Sequence, residues 1–216
     1  METDRLIENL GRDLQPVRRL RPAARRVAAW FAVAFAAGAV VVLASGPRPE
    51  LAAHFADPAF TDQVLAALVA ALLAAWAALA VGVPGGTQRW TLWLPAAPLA
   101  WWLAALGHQC WQVWLRLGPG GITLNPELDC FASIALVGAV PAIAIVAMIR
   151  RGARFRATAA LLWGSLAVAL FANAAHLLFH EGDAGLLGVM VQIVSVTLIV
   201  GGAAVLRRKL MPEATA

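Results

Sequence analysis

The stretch FASIALVGAVPAIAIVAMIRRGARFR, residues 131–156, decides the fold. Its first nineteen residues, 131–149, carry no charge, and Arg150, Arg151, Arg154 and Arg156 then crowd together. A helix apolar on every side and close to 20 residues long is suited to hydrocarbon rather than to water. The following run, ATAALLWGSLAVALFANAAHLLF (157–179), is again uncharged and ends in HEGD (180–183), which is acidic. Apolar run, arginine cluster, apolar run, acidic loop: the same order continues in both directions.

Six apolar runs emerge, at 27–44, 64–83, 92–106, 131–149, 157–179 and 185–206. Fifteen of the seventeen basic residues fall in alternate gaps between them. Arg5, Arg12, Arg18, Arg19, Arg21, Arg25 and Arg26 precede the first run, Arg89 follows the second, and Arg207, Arg208 and Lys209 follow the last. The other gaps hold Arg48 and Arg116 against Glu50, Asp57, Asp62, Glu127, Asp129, Glu181 and Asp183. Basic loops are retained on the cytoplasmic side, so both termini are expected there. The fold class that follows is all-α: a polytopic membrane bundle of six transmembrane helices with a short cytoplasmic N-terminal amphipathic helix. Three regions are expected: a cytoplasmic head at 1–26, a transmembrane domain at 27–206 and a cytoplasmic tail at 207–216.

Composition agrees. The chain is 61% apolar and 13% charged, against about 45–50% and 25% for a soluble domain. The third run is the weakest, because Pro95 and Pro98 interrupt its start. Treating it as re-entrant would put the arginine loop at 150–156 outside, so a span from Trp90 to Trp111 is expected, with the prolines near its start. The net charge of +5 does not point to nucleic acid. The cytoplasmic segments hold fifteen basic and five acidic residues, the outer ones two and seven, so the partner of the excess is anionic lipid headgroups.

In the head, METDRLIENLGRDLQPVRRLRPAARR, Leu6, Ile7, Leu10, Leu14 and Val17 form one apolar stripe. Asp4 is an expected N-cap, and Pro16 ends the helix near Leu14 or Gln15. So short a helix is marginal alone in water and needs a surface to fold against. That surface is the membrane and the protein's own loops, or a groove on a cytoplasmic protein.

Within the runs, Gly38, Gly138, Gly164, Gly188, Gly201 and Gly202 suit close helix packing, and Pro141 should kink its span. Trp90, Trp93, Trp101, Trp102, Trp111 and Trp114 either anchor the third span at the interfaces or line an aromatic pocket. No span carries a charge near its middle, which argues against an ion pump or proton-coupled carrier. Asn173, His176, Gln192, Ser195 and Thr197 lie within the fifth and sixth spans. They either hydrogen-bond between those helices or line a path for a small polar solute, so a transporter or channel is the alternative function.

The outer ends collect the reactive groups. His108 and Cys110 close the third span, Glu127, Asp129 and Cys130 open the fourth, and His176, His180, Glu181 and Asp183 close the fifth. Imidazole, thiolate and carboxylate together suit zinc or another thiophilic metal, although no spacing matches a closed zinc site. These groups are ordinary polar loop ends, or a metal- or redox-responsive site built on Cys110, Cys130, His108, His176 and His180. The two cysteines either form a disulfide closing 107–130 or remain a reactive pair. No phosphate loop, HExxH or CxxC is present. The reading is therefore not an enzyme, with no cofactor required.

DRLIENLGRDLQPVRRLRP (4–22), RPEL (48–51), PG (84–85), Cys130 and RRGA (150–153) occur in an order and topology that resemble the NrsF family of bacterial inner-membrane anti-sigma factors. The resemblance covers nearly the whole chain. It implies that Leu6, Ile7, Leu10, Leu14, Pro16, Val17, Arg18 and Arg19 belong to a segment holding an extracytoplasmic-function sigma factor at the membrane. It also implies release of that factor on a stress signal, and a pair of outer cysteines that respond to metal or oxidant. This chain keeps Cys130 but reads HLLFHEGD (176–183) where the family places its second cysteine; Cys110 is the candidate substitute.

Overall fold

The computed structural model describes residues 20–83, 89–118, 128–152, 156–180 and 186–206, together with positions 3, 5, 7, 8, 11 and 209. Among these the chain is all-helical, with no strand. The helices are α1 Ala23–Ser45, α2 Leu51–Ala56, α3 Pro58–Val81, α4 Ala96–Leu117, α5 Leu128–Arg150, α6 Ala157–His176 and α7 Leu186–Val205. A 3-10 turn at Arg89–Leu92 precedes α4.

Four of these are long and apolar enough to cross a membrane: Ala23–Ser45, Pro58–Val81, Ala132–Arg150 and Ala157–His176. The 24 residues of α3 span about 36 Å at 1.5 Å per residue, enough for a hydrocarbon layer of ~30 Å. In α7 the described apolar stretch is Ile193–Val205. The sixth expected run is thus helical, and its apolar described part is shorter than a span.

The third run departs from expectation. Its helix starts at Ala96 rather than Trp90 and continues to Leu117. Proline disfavours helical geometry in the residue before it, so Leu94-Pro95 delays the start. Pro98 is then tolerated in the first turn, where its missing N–H would have had no partner. Trp101 Nε1 donates to Asp62 Oδ1 at 3.0 Å, and Gln109 Nε2 donates to the Ala59 carbonyl at 3.0 Å. These bonds set α4 antiparallel to α3. Eight residues follow Gln109, so about 12 Å of α4 extends past the start of α3. Trp111 and Leu115 there are 58% and 60% exposed.

The core is built from alanine. Ala67, Ala71, Ala74 and Ala78 recur on one face of α3 and are essentially fully buried, which lets neighbouring backbones approach closely. α3 and α6 form the centre, with 61% and 67% of their apolar windows buried, against 28% for α1 and 33% for the α5 window. Three of the expected glycines serve that packing. A Cβ on Gly38 would lie 3.2 Å from Phe171, on Gly138 3.3 Å from Val168, and on Gly164 3.1 Å from Ile149. Gly201 and Gly202 do not, since a Cβ on either meets nothing within 4 Å. Trp30 is fully buried, and its Nε1 donates to the Pro141 carbonyl at 3.0 Å. α5 runs through Pro141 as one continuous helix.

Two ends can be told apart by what meets there. Arg26 of α1 donates to the Leu79 carbonyl near the end of α3. A Cβ on Gly152, just after α5, would lie 3.9 Å from the same guanidinium. This is the basic end. At the other, the Arg48 N–H donates to the Leu178 carbonyl at 2.9 Å, joining the segments after α1 and α6. Among the described residues, Arg26, Arg150 and Arg151 thus stand towards one end and Glu50, Asp57 and Asp62 towards the other. Asp57 caps α3 at that acidic end, accepting from Ala59 N at 3.0 Å with Pro58 in the first turn.

Candidate functional site

Two places are candidates: the head with its junction to the bundle, and the cluster of reactive groups at the acidic end. In the head, Ile7 is helical and 63% exposed. Leu6, Leu10, Leu14, Pro16, Val17, Arg18 and Arg19 lie outside the described residues.

The junction carries a residue that charge counting treats as one more arginine. Arg26 is buried, at 9% exposure. The last four carbonyls of a helix have no partner within it, and α3 has no basic residue in its own last turn. Arg26 supplies the missing cation from α1 by donating to Leu79, where the helix dipole also favours positive charge. Its Nε has no partner among the described residues. The head is therefore tied to α3 within six residues of Leu20. The positive-inside pattern located this arginine; its capping role is visible only once α1 and α3 are side by side.

At the acidic end, Asn173 is 1% and His176 7% exposed. Asn173 Nδ2 donates to the Ala169 carbonyl of its own helix at 2.8 Å, and Thr197 Oγ1 likewise returns to Ile193 at 2.8 Å. Among the described residues these two thus make no interhelical bond. The physical reason is proximity: a short polar side chain on a helix finds the carbonyl four residues back before any neighbour. Asn173 Oδ1 and His176 Nε2 have no partner among the described residues. Both residues are buried among the described residues, and Gln192 lies outside the described side chains.

His176 and His180 stack with ring centroids 4.5 Å apart. His180 is half-buried, and Cys110 is half-buried and free. His108 is exposed, its Nε2 3.4 Å from Gln112 Nε2. Cys130 belongs to the first turn of α5, with its side chain outside the described set; so do Glu127, Glu181 and Asp183 as whole residues. Among the described residues, no three His, Cys, Asp or Glu groups converge to hold a metal ion. His176, the last residue of α6, and His180 just after it come together; His108 meets Gln112 instead.

Across the chain, residues 10–211 match the family described as NrsF, negative regulator of sigma F. No curated protein and no solved structure matches the chain.

Proposed function

Because the chain belongs to the NrsF family of negative regulators of a sigma factor, we propose that it is a membrane-bound anti-sigma factor. Residues 1–26 hold an extracytoplasmic-function sigma factor at the cytoplasmic face of a bacterial inner membrane and release it on a stress signal. The observation that carries this reading is the reach of the family match, from residue 10 in the head to residue 211 beyond α7. It joins a regulatory role to a chain with four helices able to cross a membrane.

The parts have distinct tasks. The stripe of Leu6, Ile7, Leu10, Leu14 and Val17 offers the partner an apolar face, and Arg18 and Arg19 follow as a basic turn. A segment too short to be stable alone gains order on binding. The basic end faces the cytoplasm, so both termini lie there and six helices cross, α4 and α7 included. The acidic end faces outward. There a soft metal such as zinc, or an oxidant, acts on Cys110 and Cys130, with His108, His176 and His180 as auxiliary groups. No resident cofactor is needed, and the protein is not an enzyme.

Release requires that the signal favour one of two states of the bundle rather than merely bind. The connection runs through α6 and α3 to Arg26, which joins the head to the Leu79 carbonyl. Deleting residues 2–20 from the chromosomal copy tests the role. The expected result is constitutive transcription from the sigma-dependent promoter, with the membrane domain still present at normal level. Repression that survives the deletion would contradict it.

A further inference from the structure

Between α5, α6 and α7, in the half nearest the basic end, lies an apolar cleft of about 510 Å³. Its floor is Ile145, Ile149, Leu161 and Val168, none more than 6% exposed, and its lips are Ile143 at 71% and Leu198 at 63%. The opening exists because α7 presents glycine to it. Gly202 lines the cleft, and a Cβ there would meet nothing within 4 Å. Two lining residues have polar side chains, Ser165 and Arg150. The Ser165 hydroxyl already donates to the Leu162 carbonyl at 2.9 Å, and Arg150 is exposed at the end of α5.

The dimensions say what such a cleft takes. Its α5 wall runs from Ala142 to Arg150 and its α7 wall from Leu198 to Leu206. Each covers eight residue steps, about 12 Å, close to half of a ~30 Å hydrocarbon layer. An occupant therefore begins near mid-membrane and ends at headgroup level, where Arg150 stands with the exposed Arg151 beside it. A polar solute would find a single hydroxyl along the walls, with its hydrogen already donated to Leu162. A neutral apolar molecule would leave the guanidinium unused.

We infer that the cleft holds one acyl chain of an anionic phospholipid from the leaflet at the basic end, with its phosphate on the Arg150 guanidinium. Arginine binds phosphate oxygens through paired charge-assisted bonds, and basic pockets between membrane helices are suited to anionic headgroups. The lipid fills the space left by Gly202 and ties α7 to α5 and α6. The inference rests on the membrane placement proposed above and not on sigma-factor binding.

The test uses the full chain in detergent, titrated with phosphatidylglycerol and, separately, with phosphatidylcholine of identical acyl chains, read by native mass spectrometry. Saturable binding of phosphatidylglycerol is expected, with phosphatidylcholine about tenfold weaker. Arg150→Gln, a change at an exposed site, should weaken phosphatidylglycerol about tenfold and phosphatidylcholine, whose phosphate is offset by its own ammonium, by less. Gly202→Leu should fill the cleft and weaken both lipids. Equal binding of the two lipids, or phosphatidylglycerol binding unaltered in both variants, would overturn the inference. So would a Gly202→Leu protein that changes oligomeric state while keeping its lipid, since the cleft would then be an interface between copies. Sigma-factor binding is read on the same samples, so a failed lipid site with that binding intact overturns this inference alone.

Discussion

Two buried polar residues behave in opposite ways: Arg26, at the basic end of the bundle, crosses between helices, whereas Asn173, towards the acidic end, does not. Arg26 leaves α1 to cap the Leu79 carbonyl of α3. Asn173 turns back to its own helix, leaving its Oδ1 and the Nε2 of His176 without partners among the described residues. A buried polar group left unpaired costs about 1–3 kcal/mol. The two ends therefore differ in more than charge. Arg26 fastens α1 to α3 beside the head, and the buried groups of α6 keep unused hydrogen-bonding capacity beside His180. A rearrangement or ligand that satisfied those atoms would be favoured at that end.

The largest effect should come from the packing that both ends share. Trp30 is fully buried, meets Phe171 edge-on at 6.3 Å and donates to Pro141. Trp30→Ala should cost about 3–5 kcal/mol, read as an early unfolding transition in detergent. A transition within error of the parent protein would mean that the bundle does not depend on the α1–α5–α6 seam.

Next in size is the fastening itself. Arg26→Met leaves the Leu79 carbonyl without its charged donor, for a loss of about 1.5–3 kcal/mol. Arg26→Lys should recover part of that loss, because an ammonium restores the charge but not the planar fork. Equal stability of all three proteins would remove the contrast between the ends.

Overpacking gives a smaller, paired test. Gly164→Leu places atoms where Ile149 already stands 3.1 Å from a Cβ and should cost about 1–3 kcal/mol. Gly201→Ala enters open space and should change stability by no more than about 0.5–1 kcal/mol, in the stabilising direction. Similar losses at both positions would contradict the helix packing described above.

The smallest effect is expected at the acidic end. His176→Leu removes an unpartnered nitrogen from an apolar site and should be neutral, or stabilising by about 1 kcal/mol. A clear destabilisation would show that Nε2 has a partner in the membrane-embedded protein.

Four long apolar helices were legible from the sequence, because each follows from local pattern, an uncharged run near 20 residues bounded by charge; α4 and the described apolar part of α7 fall short of the spans expected there. The helix expected from Trp90, with Pro95 and Pro98 near its start, begins instead at Ala96, after a 3-10 turn. Gly38, Gly138 and Gly164 were legible as packing glycines. Gly201 and Gly202 carry the same pattern and face space, because which helix approaches them is a tertiary fact. The role of Arg26 was hidden for the same reason. Its partner is a backbone carbonyl 53 residues away, and a carbonyl has no signature in sequence. The outer cluster was legible as residue types at one end, but pattern could not say that Asn173 would bond inward or that His176 would stack on His180.

The central claim is that the head grips a sigma factor and the bundle displays it. The direct measurement is co-purification of the host's extracytoplasmic-function sigma factors, each co-expressed with the full chain or with a Leu6→Asp, Leu10→Asp, Leu14→Asp variant. The account predicts that one of them elutes with the parent protein from detergent-solubilised membranes. It also predicts that the triple variant loses this factor while reaching the membrane and unfolding at the same temperature. A sigma factor that stays bound to the triple variant, or none bound to the parent protein, would contradict it.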